Sequence, residues 1–354
     1  MKKIIKKLVS IVATTVFLGT CCVGCGSSGS SDSKGKLNLI CWSEYIPDEV
    51  ISDFESETGI QVNLTTFTTA DEMLAKVQSA AEGTYDMVIA PQVNTKILES
   101  QGMLDKLDKD KIENIKNVDE MYMGNALDPN NDYSIPYLYT SLVIAVNKDV
   151  VTDNITSYKD LLDTKYKDQM VTVEDARAVV TAALKATGHD VNDTSDEALK
   201  DAKEYLTKLK PNIHAFNGDS PKTLLLNGEC SIGLIYGGEC ALAMDENPAI
   251  VGVYPEEGCY FEMDVMMKTK GAKNPDNVEK FINYILDGEV GATIAKAYPY
   301  ISPNKAAKEN LDEEYLSNNV KNPPKEELEK AEQLDDLGDD LTKLVDLWNQ
   351  FKTE

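Results

Sequence analysis

Catalysis has few instruments in this chain. Only two histidines, His189 and His214, occur among its 354 residues, with a single arginine, Arg177. Histidine is the side chain best suited to moving protons near neutral pH. Yet His189 sits in the polar run Thr187-Gly188-His189-Asp190, and His214 follows Pro211-Asn212-Ile213, which reads as a structural position. No GxSxG elbow, HExxH helix or P-loop spacing is present, which argues against hydrolytic and nucleotide chemistry. Cys41, Cys230, Cys240 and Cys259 show no CxxC spacing, so zinc and dithiol motifs are absent. Tyr298, Tyr300 and Tyr236 could serve an iron(III) site, but no compact Tyr/His/Asp set accompanies them. What the chain has in quantity is carboxylate: 60 Asp and Glu against 35 Lys and Arg, a net charge of -25. Such a surface repels nucleic acid and anionic lipid and suits a cationic partner.

The elements that position these groups follow a signature for export. Lys2, Lys3, Lys6 and Lys7 precede the apolar run Leu8 to Leu18, too short to span a bilayer but right for a signal-peptide core. Cys22-Val23-Gly24-Cys25-Gly26-Ser27-Ser28 resembles the bacterial lipobox, which makes Cys25 the expected lipidated N-terminus. Leu is commoner than Cys at the position of Cys22, and Cys21 is a weaker competitor because Thr20 precedes it. Residues 1–24 are thus expected to be a signal peptide. Residues 25–35, rich in Ser and Gly, are expected to be a lipidated cysteine with a flexible leash.

From Lys36 the pattern alternates. Leu37, Leu39 and Cys41 read as a strand, and Pro47 opens a helix striped by Val50, Ile51 and Phe54 and closed by Gly59. Ile60, Val62 and Leu64 form a second strand. A helix follows, opened by the capping box Thr69-Ala70-Asp71-Glu72 and closed by Gly83, and then the buried-type strand Tyr85 to Ala90. The same grammar returns at Leu142 to Val146, in a capped helix from Thr194 to Leu209, at Ser231 to Tyr236, and in a helix from Pro275 to Leu286. Strands alternating with helices imply parallel sheets covered on both faces, and some 320 residues imply two domains. The turn Asp128-Pro129-Asn130-Asn131-Asp132, with extended Tyr133 to Tyr137, is the candidate first crossing. Ligands of such sheets bind beyond the carboxyl ends of strands, so two facing lobes make one cleft.

Seven stretches carry a family likeness: Cys41-Trp42-Ser43-Glu44-Tyr45-Ile46-Pro47, FESETGI at 54–60, DPNNDYSIPY at 128–137, EDAR at 174–177, PNIHAFN at 211–217, FEMD at 261–264 and SPN at 302–304. In order and spacing they resemble the spermidine/putrescine-binding proteins of polyamine ABC importers, over nearly the whole mature chain. The resemblance implies an α/β, two-lobed periplasmic-binding-protein-like fold of type II, its lobes joined by hinge crossovers around a ligand cleft. Lobe 1 is expected over 36–139 and 264–305, and lobe 2 over 140–263 and 306–354. It further implies a binding protein rather than an enzyme, with no cofactor. A polyamine is the ligand, and permease subunits with a cytoplasmic ATPase are the partners. A solute-binding protein for another small cation or a metal ion stands as the alternative.

By the family's pattern Asp264 and Asp175 match the acids that take ammonium groups, each worth about 1.5–3 kcal/mol when desolvated. Trp42, Tyr45, Tyr236 and Tyr300 match aromatic positions lining the cleft, and Glu44 matches a further polar contact. The chain also departs from the pattern. Ala178 stands where the family has a second acid and Glu262 where it has a Trp. Pro91, Val93 and Leu334 replace a serine, a tyrosine and a glutamine. Glu262 is expected to restore the carboxylate missing at 178. Arg177 is expected to pair with a neighbouring acid, His214 to sit between the lobes, and the acidic stretch Glu326 to Asp340 to form a solvated helix pair.

Overall fold

A computed structural model of the chain describes residues 35–43 and 45–353. The expected signal peptide, Cys25 and its leash, and Glu44, lie outside the described residues.

In the first strand, β1 (Lys36–Trp42), Leu37, Leu39, Ile40 and Cys41 are all fully buried, as a strand covered on both faces requires. The helix α1 (Asp48–Thr58) begins after Pro47, with Asp48 and Glu49 placed favourably at the positive end of its dipole. It ends at Gly59, whose φ of 73° lets its N–H reach Glu55 O at 2.9 Å. After β2 (Gln61–Phe67), α2 (Ala70–Ser79) is capped by Thr69, which accepts from Glu72 N–H at 3.1 Å. Glu72 reaches back to Thr68 N–H rather than Thr69, so the expected box closes one residue early. The helix also stops at Ala80, ahead of Gly83, which instead turns the chain beside Gly271 at φ +74°.

The main remaining elements are β3 (Met87–Pro91), α3 (Val93–Ser100), β4 (Ser134–Asn147), β5 (Met170–Thr172), α4 (Ala176–Thr187), α5 (Asp196–Leu209), β6 (Ile213–Phe216) and α6 (Lys222–Leu226). They continue through β7 (Ile232–Tyr236), α7 (Gly237–Glu246), β8 (Ile250–Val253), β9 (Tyr260–Lys268), α8 (Pro275–Ile285), α9 (Gly288–Ala297) and β10 (Glu332–Gln333) to a terminal helix, Leu341–Thr353. Ser195, not Thr194, caps α5, accepting from Ala198 N–H, while the Thr194 hydroxyl donates to Asp340 at 3.1 Å.

Strand order is β2-β1-β3-β9-β4-β7-β5-β6, with β8 on β4 and β10 on β9. The outer trios β2-β1-β3 and β7-β5-β6 are parallel, as the alternation of strands and helices predicts. The middle is not. β9 runs antiparallel to both β3 and β4, and β4 runs antiparallel to β7. These two strands carry the chain out of one lobe and back, so they must point in opposite directions. β4 serves both lobes: Ser134–Ser141 pair with β9, and Leu142–Val146 pair with β7. Its start is fixed by the buried carboxylate of Asp128, which accepts the N–H groups of Asp132, Tyr133 and Ser134, each at 2.9 Å.

Two hydrophobic cores flank this crossing. One gathers Phe54, Ile60, Phe67, Met87, Val265 and Phe281. The other gathers Ile144, Val179, Leu184, Leu206, Ile235 and, from the terminal helix, Trp348. The acidic stretch before that helix is not a helix pair. Pro323-Pro324 precede a single short helix, Lys325–Glu329, and β10 then pairs with the start of β9.

β9 ends in a buried ion pair. Lys268 donates to Glu279 of α8 at 2.5 Å, with side-chain exposures of 9% and 1%. Removing one partner strands a charge in the core, whereas replacing both by apolar groups need not destabilise. Lys268→Met is therefore expected to lower the unfolding free energy by about 3–5 kcal/mol. The double variant Lys268→Met/Glu279→Leu is expected to recover most of that loss, and urea unfolding at pH 7 measures both.

Candidate functional site

Side chains two apart on a strand share a face, and on β9 those residues are Glu262 and Asp264. Asp264 is 7% exposed. The indole of Trp42, the last residue of β1, donates to Asp264 Oδ1 at 3.2 Å, and the Tyr45 hydroxyl donates to Oδ2 at 2.5 Å. Tyr45 is itself fixed. Its carbonyl accepts the Tyr137 hydroxyl at 2.7 Å, and its ring meets Tyr137 and Tyr300 edge-on at 5.2 and 5.5 Å. Burial pushes the Asp264 carboxyl up to about 6, against the two hydrogen bonds that favour its charge. Burial, and then the charge of Asp264, hold the Tyr45 phenol well above its usual range.

The second lobe supplies Asp175 and Tyr236. Asp175 caps α4: its Oδ1 accepts from Ala178 N–H at 2.8 Å, and its Oδ2 accepts the Tyr236 hydroxyl at 2.9 Å. Tyr236 closes β7, at the carboxyl end of a parallel strand. Glu262 stands near both clusters. It is half-buried by solvent contact yet crowded by protein, and it makes no hydrogen bond or ion pair with a described residue. Burial, then the charges of Asp264 and Asp175, push its carboxyl up to about 8, while Arg177 acts in the opposite sense.

Tyr300 bridges the two halves. A Cβ at Gly238, in the first turn of α7, would lie 2.6 Å from the Tyr300 ring, so only glycine permits this approach. An open cavity of about 650 Å³ lies on the first-lobe side of Trp42 and Tyr45, bounded also by Pro47, Leu64 and Tyr298. Asp264, Glu262, Asp175 and Tyr236 do not line it. We place the candidate site at those carboxylates, because the acids of the cavity wall, Asp48 and Glu49, are exposed on the first turn of α1.

The structure thus brings Trp42, Tyr45, Tyr300, Glu262 and Asp264 into one neighbourhood, with Asp175 and Tyr236 facing them from the second lobe. Other expectations are corrected. Arg177 forms no ion pair among the described residues. Its Nη2 donates to the Asn192 side chain at 2.5 Å and to the Asp335 carbonyl at 3.4 Å, because Asp175 is committed to the helix cap. His214 is not between the lobes but exposed on β6, the last strand of the order, 3.1 Å from Asp168. Ala178 and Leu334 turn into the second core, and Pro91 pairs in register with Asp264. Tyr137 and its grip on Tyr45 escaped sequence reasoning. The SIPY run placed it on a strand, and nothing in the sequence aimed its hydroxyl at residue 45.

Comparison with known proteins now bears on this geometry. Residues 49–325 match the family model for bacterial extracellular solute-binding proteins. The spermidine/putrescine-binding periplasmic protein of Salmonella typhimurium is 33% identical over 91% of this chain and 92% of its own length. Its counterpart in Escherichia coli is 34% identical over 88% and 90%. The solved substrate-binding protein PotD of a spermidine/putrescine ABC transporter from Streptococcus pneumoniae superposes with a TM-score of 0.81. It is 31% identical over 90% of this chain and 98% of that one. With two α/β lobes of the type II periplasmic-binding-protein architecture joined by crossing strands, the chain belongs to the bacterial extracellular solute-binding proteins.

Proposed function

We propose that this protein captures a polyamine, spermidine and/or putrescine, outside the cell membrane and delivers it to permease subunits driven by a cytoplasmic ATPase. The observation that carries the reading is a pair of acid clusters, both electrostatically coupled to Glu262 of β9. Asp264 stands among Trp42, Tyr45 and Tyr300, and Asp175 against Tyr236. A polyamine is a chain of methylenes bearing ammonium groups. Carboxylates match its charges, and aromatic faces match both its cations and its methylenes. The names borne by the relatives agree with this choice, which extends to a putrescine/cadaverine-binding protein of Pseudomonas aeruginosa at 28% identity. Ligand contacts at Trp42, Glu44, Tyr45, Asp175, Tyr236, Glu262, Asp264 and Tyr300 belong to the proposal. So do the lobe limits 36–139 with 264–305 and 140–263 with 306–354, with which core membership agrees except at Cys259, Phe261 and Met263, which pack in the first core. Tethering through Cys25 rests on the leader, the lipobox-like run and the leash.

Calorimetry on the purified, ligand-free protein with spermidine and putrescine tests the reading. Asp175→Asn/Asp264→Asn keeps a helix cap at 175 and hydrogen-bonding groups at both sites while removing two charges. It is expected to weaken binding by about 3–6 kcal/mol, two charge-assisted bonds at about 1.5–3 kcal/mol each. Absence of heat with either amine in the unaltered protein would refute the reading.

Acidity supplies a second test. With Asp264 titrating at about 6 and Glu262 at about 8, lowering the pH protonates the groups that attract the ligand, while the amine keeps its charge. Affinity should therefore rise from pH 6 to pH 8, and a flat profile would contradict charged seats at both residues. For the anchor, Cys25→Ser is expected to move the protein from the membrane fraction to the soluble exported fraction, read by fractionation and immunoblot.

A further inference from the structure

Tyr236 ends β7, and the next two residues, Gly237 and Gly238, open α7. Gly238 is not required by the backbone: it lies in the helix and lacks the left-handed φ that bars a side chain. Glycine inside a helix even costs stability relative to alanine. What Gly238 supplies is therefore space. A Cβ there would lie 2.6, 2.7 and 2.8 Å from Cε1, Cζ and Cδ1 of Tyr300, along one edge of the ring and far inside carbon–carbon contact.

Neither side of this contact can easily retreat. Next to Tyr300, Ile301 exchanges both main-chain hydrogen bonds with Tyr139 of β4, each at 2.9 Å, so the backbone that carries the ring is pinned to the crossing strand. The start of α7 is packed against the same strand: a Cβ at Gly237 would lie 3.3 Å from Ser141 Oγ and 3.5 Å from Val320. The two sides belong to different cores. Tyr300 packs on the first, while Cys240, Ala241 and Ala243 of α7 are buried in the second.

The contact leads to both acid clusters. On one side, the Tyr300 ring meets Tyr45 edge-on at 5.5 Å, and the Tyr45 hydroxyl donates to Asp264 at 2.5 Å. On the other, Tyr236, two residues before Gly238, donates its hydroxyl to Asp175 at 2.9 Å. A continuous series of contacts thus joins Asp175 to Asp264 through Tyr236, the start of α7, Tyr300 and Tyr45. With a methyl group at 238, Tyr300 could not keep both its place on α7 and its edge contact with Tyr45.

We propose that Gly238 is a positioning residue of the binding site: lacking a Cβ, it seats Tyr300 against α7 and so fixes the Asp264 cluster of the first lobe relative to the Asp175 cluster of the second. The inference rests on the polyamine reading and adds to it a residue that acts through Tyr300 rather than on the ligand. An amine held at both clusters depends on their separation, which the residues behind them must maintain.

Calorimetry with spermidine and with putrescine on the unaltered protein, Gly238→Ala, Tyr300→Ala and the double variant tests this, with a melting curve of each. Gly238→Ala is expected to weaken both amines about five- to a hundredfold, the size of an overpacking penalty, while keeping a single cooperative melting transition. In the Tyr300→Ala background, where the ring is gone, the same substitution is expected to change affinity less than about threefold. Equal losses in the two backgrounds would mean that Gly238 serves the start of α7 and not the ring. No loss in the presence of Tyr300 would mean that the contact does not hold the acids in place, and a Gly238→Ala protein that fails to fold would assign the contact to stability alone. Each of these overturns the inference. Failure of the unaltered protein to bind either amine would instead overturn the polyamine reading.

Discussion

Asp264 keeps a carboxylate almost out of water with no ion pair among the described residues, held by one indole N–H and one phenol. A charge so placed is costly, and the protein meets part of the cost by raising the group's affinity for protons. The remainder is met by rigidity. Trp42 is fixed by the end of β1, Tyr45 by Tyr137, and Asp264 by its place in the middle of a paired strand. Both donors point at the carboxylate and stabilise its ionised form, so the charge is held in one place.

The crossing strands make this placement possible. β9 lies between β3 and β4, with main-chain bonds on both sides, and β4 continues without a break from the first lobe into the second. β9 therefore contributes to both cores, and Glu262 comes under the influence of Asp175, the cap of α4, and of Arg177 on α4. The close approach of Tyr300 to Gly238 adds a contact that depends on one missing methyl group.

Much of the fold was legible. The period-two and period-3.6 patterns from Leu37 to Ala90, and again around Leu142, Leu209 and Tyr236, are local properties, and so were the Pro47 and Gly59 boundaries. Errors fell where two local signals competed, as at Thr194 and Ser195, or where a tertiary partner intervened, as when β10 formed on the start of β9 instead of helix. The antiparallel middle of the sheet was not legible, since strand direction depends on which lobe the chain is entering.

Composition and pattern determined that the chain is α/β and acidic and that it lacks the spacings of common catalytic motifs. The resemblance named Trp42, Glu44, Tyr45, Asp175, Tyr236, Asp264 and Tyr300 as a set, and Glu262 entered as a departure from it. Only the tertiary structure decided that Asp175 is a helix cap that also holds the Tyr236 hydroxyl, that Arg177 spends its hydrogen bonds on Asn192 and Asp335, and that Glu262 makes no hydrogen bond among the described residues. The reason is physical. A side chain's type is written in the sequence, but its charge and its free hydrogen bonds depend on what residues more than two hundred positions away leave beside it.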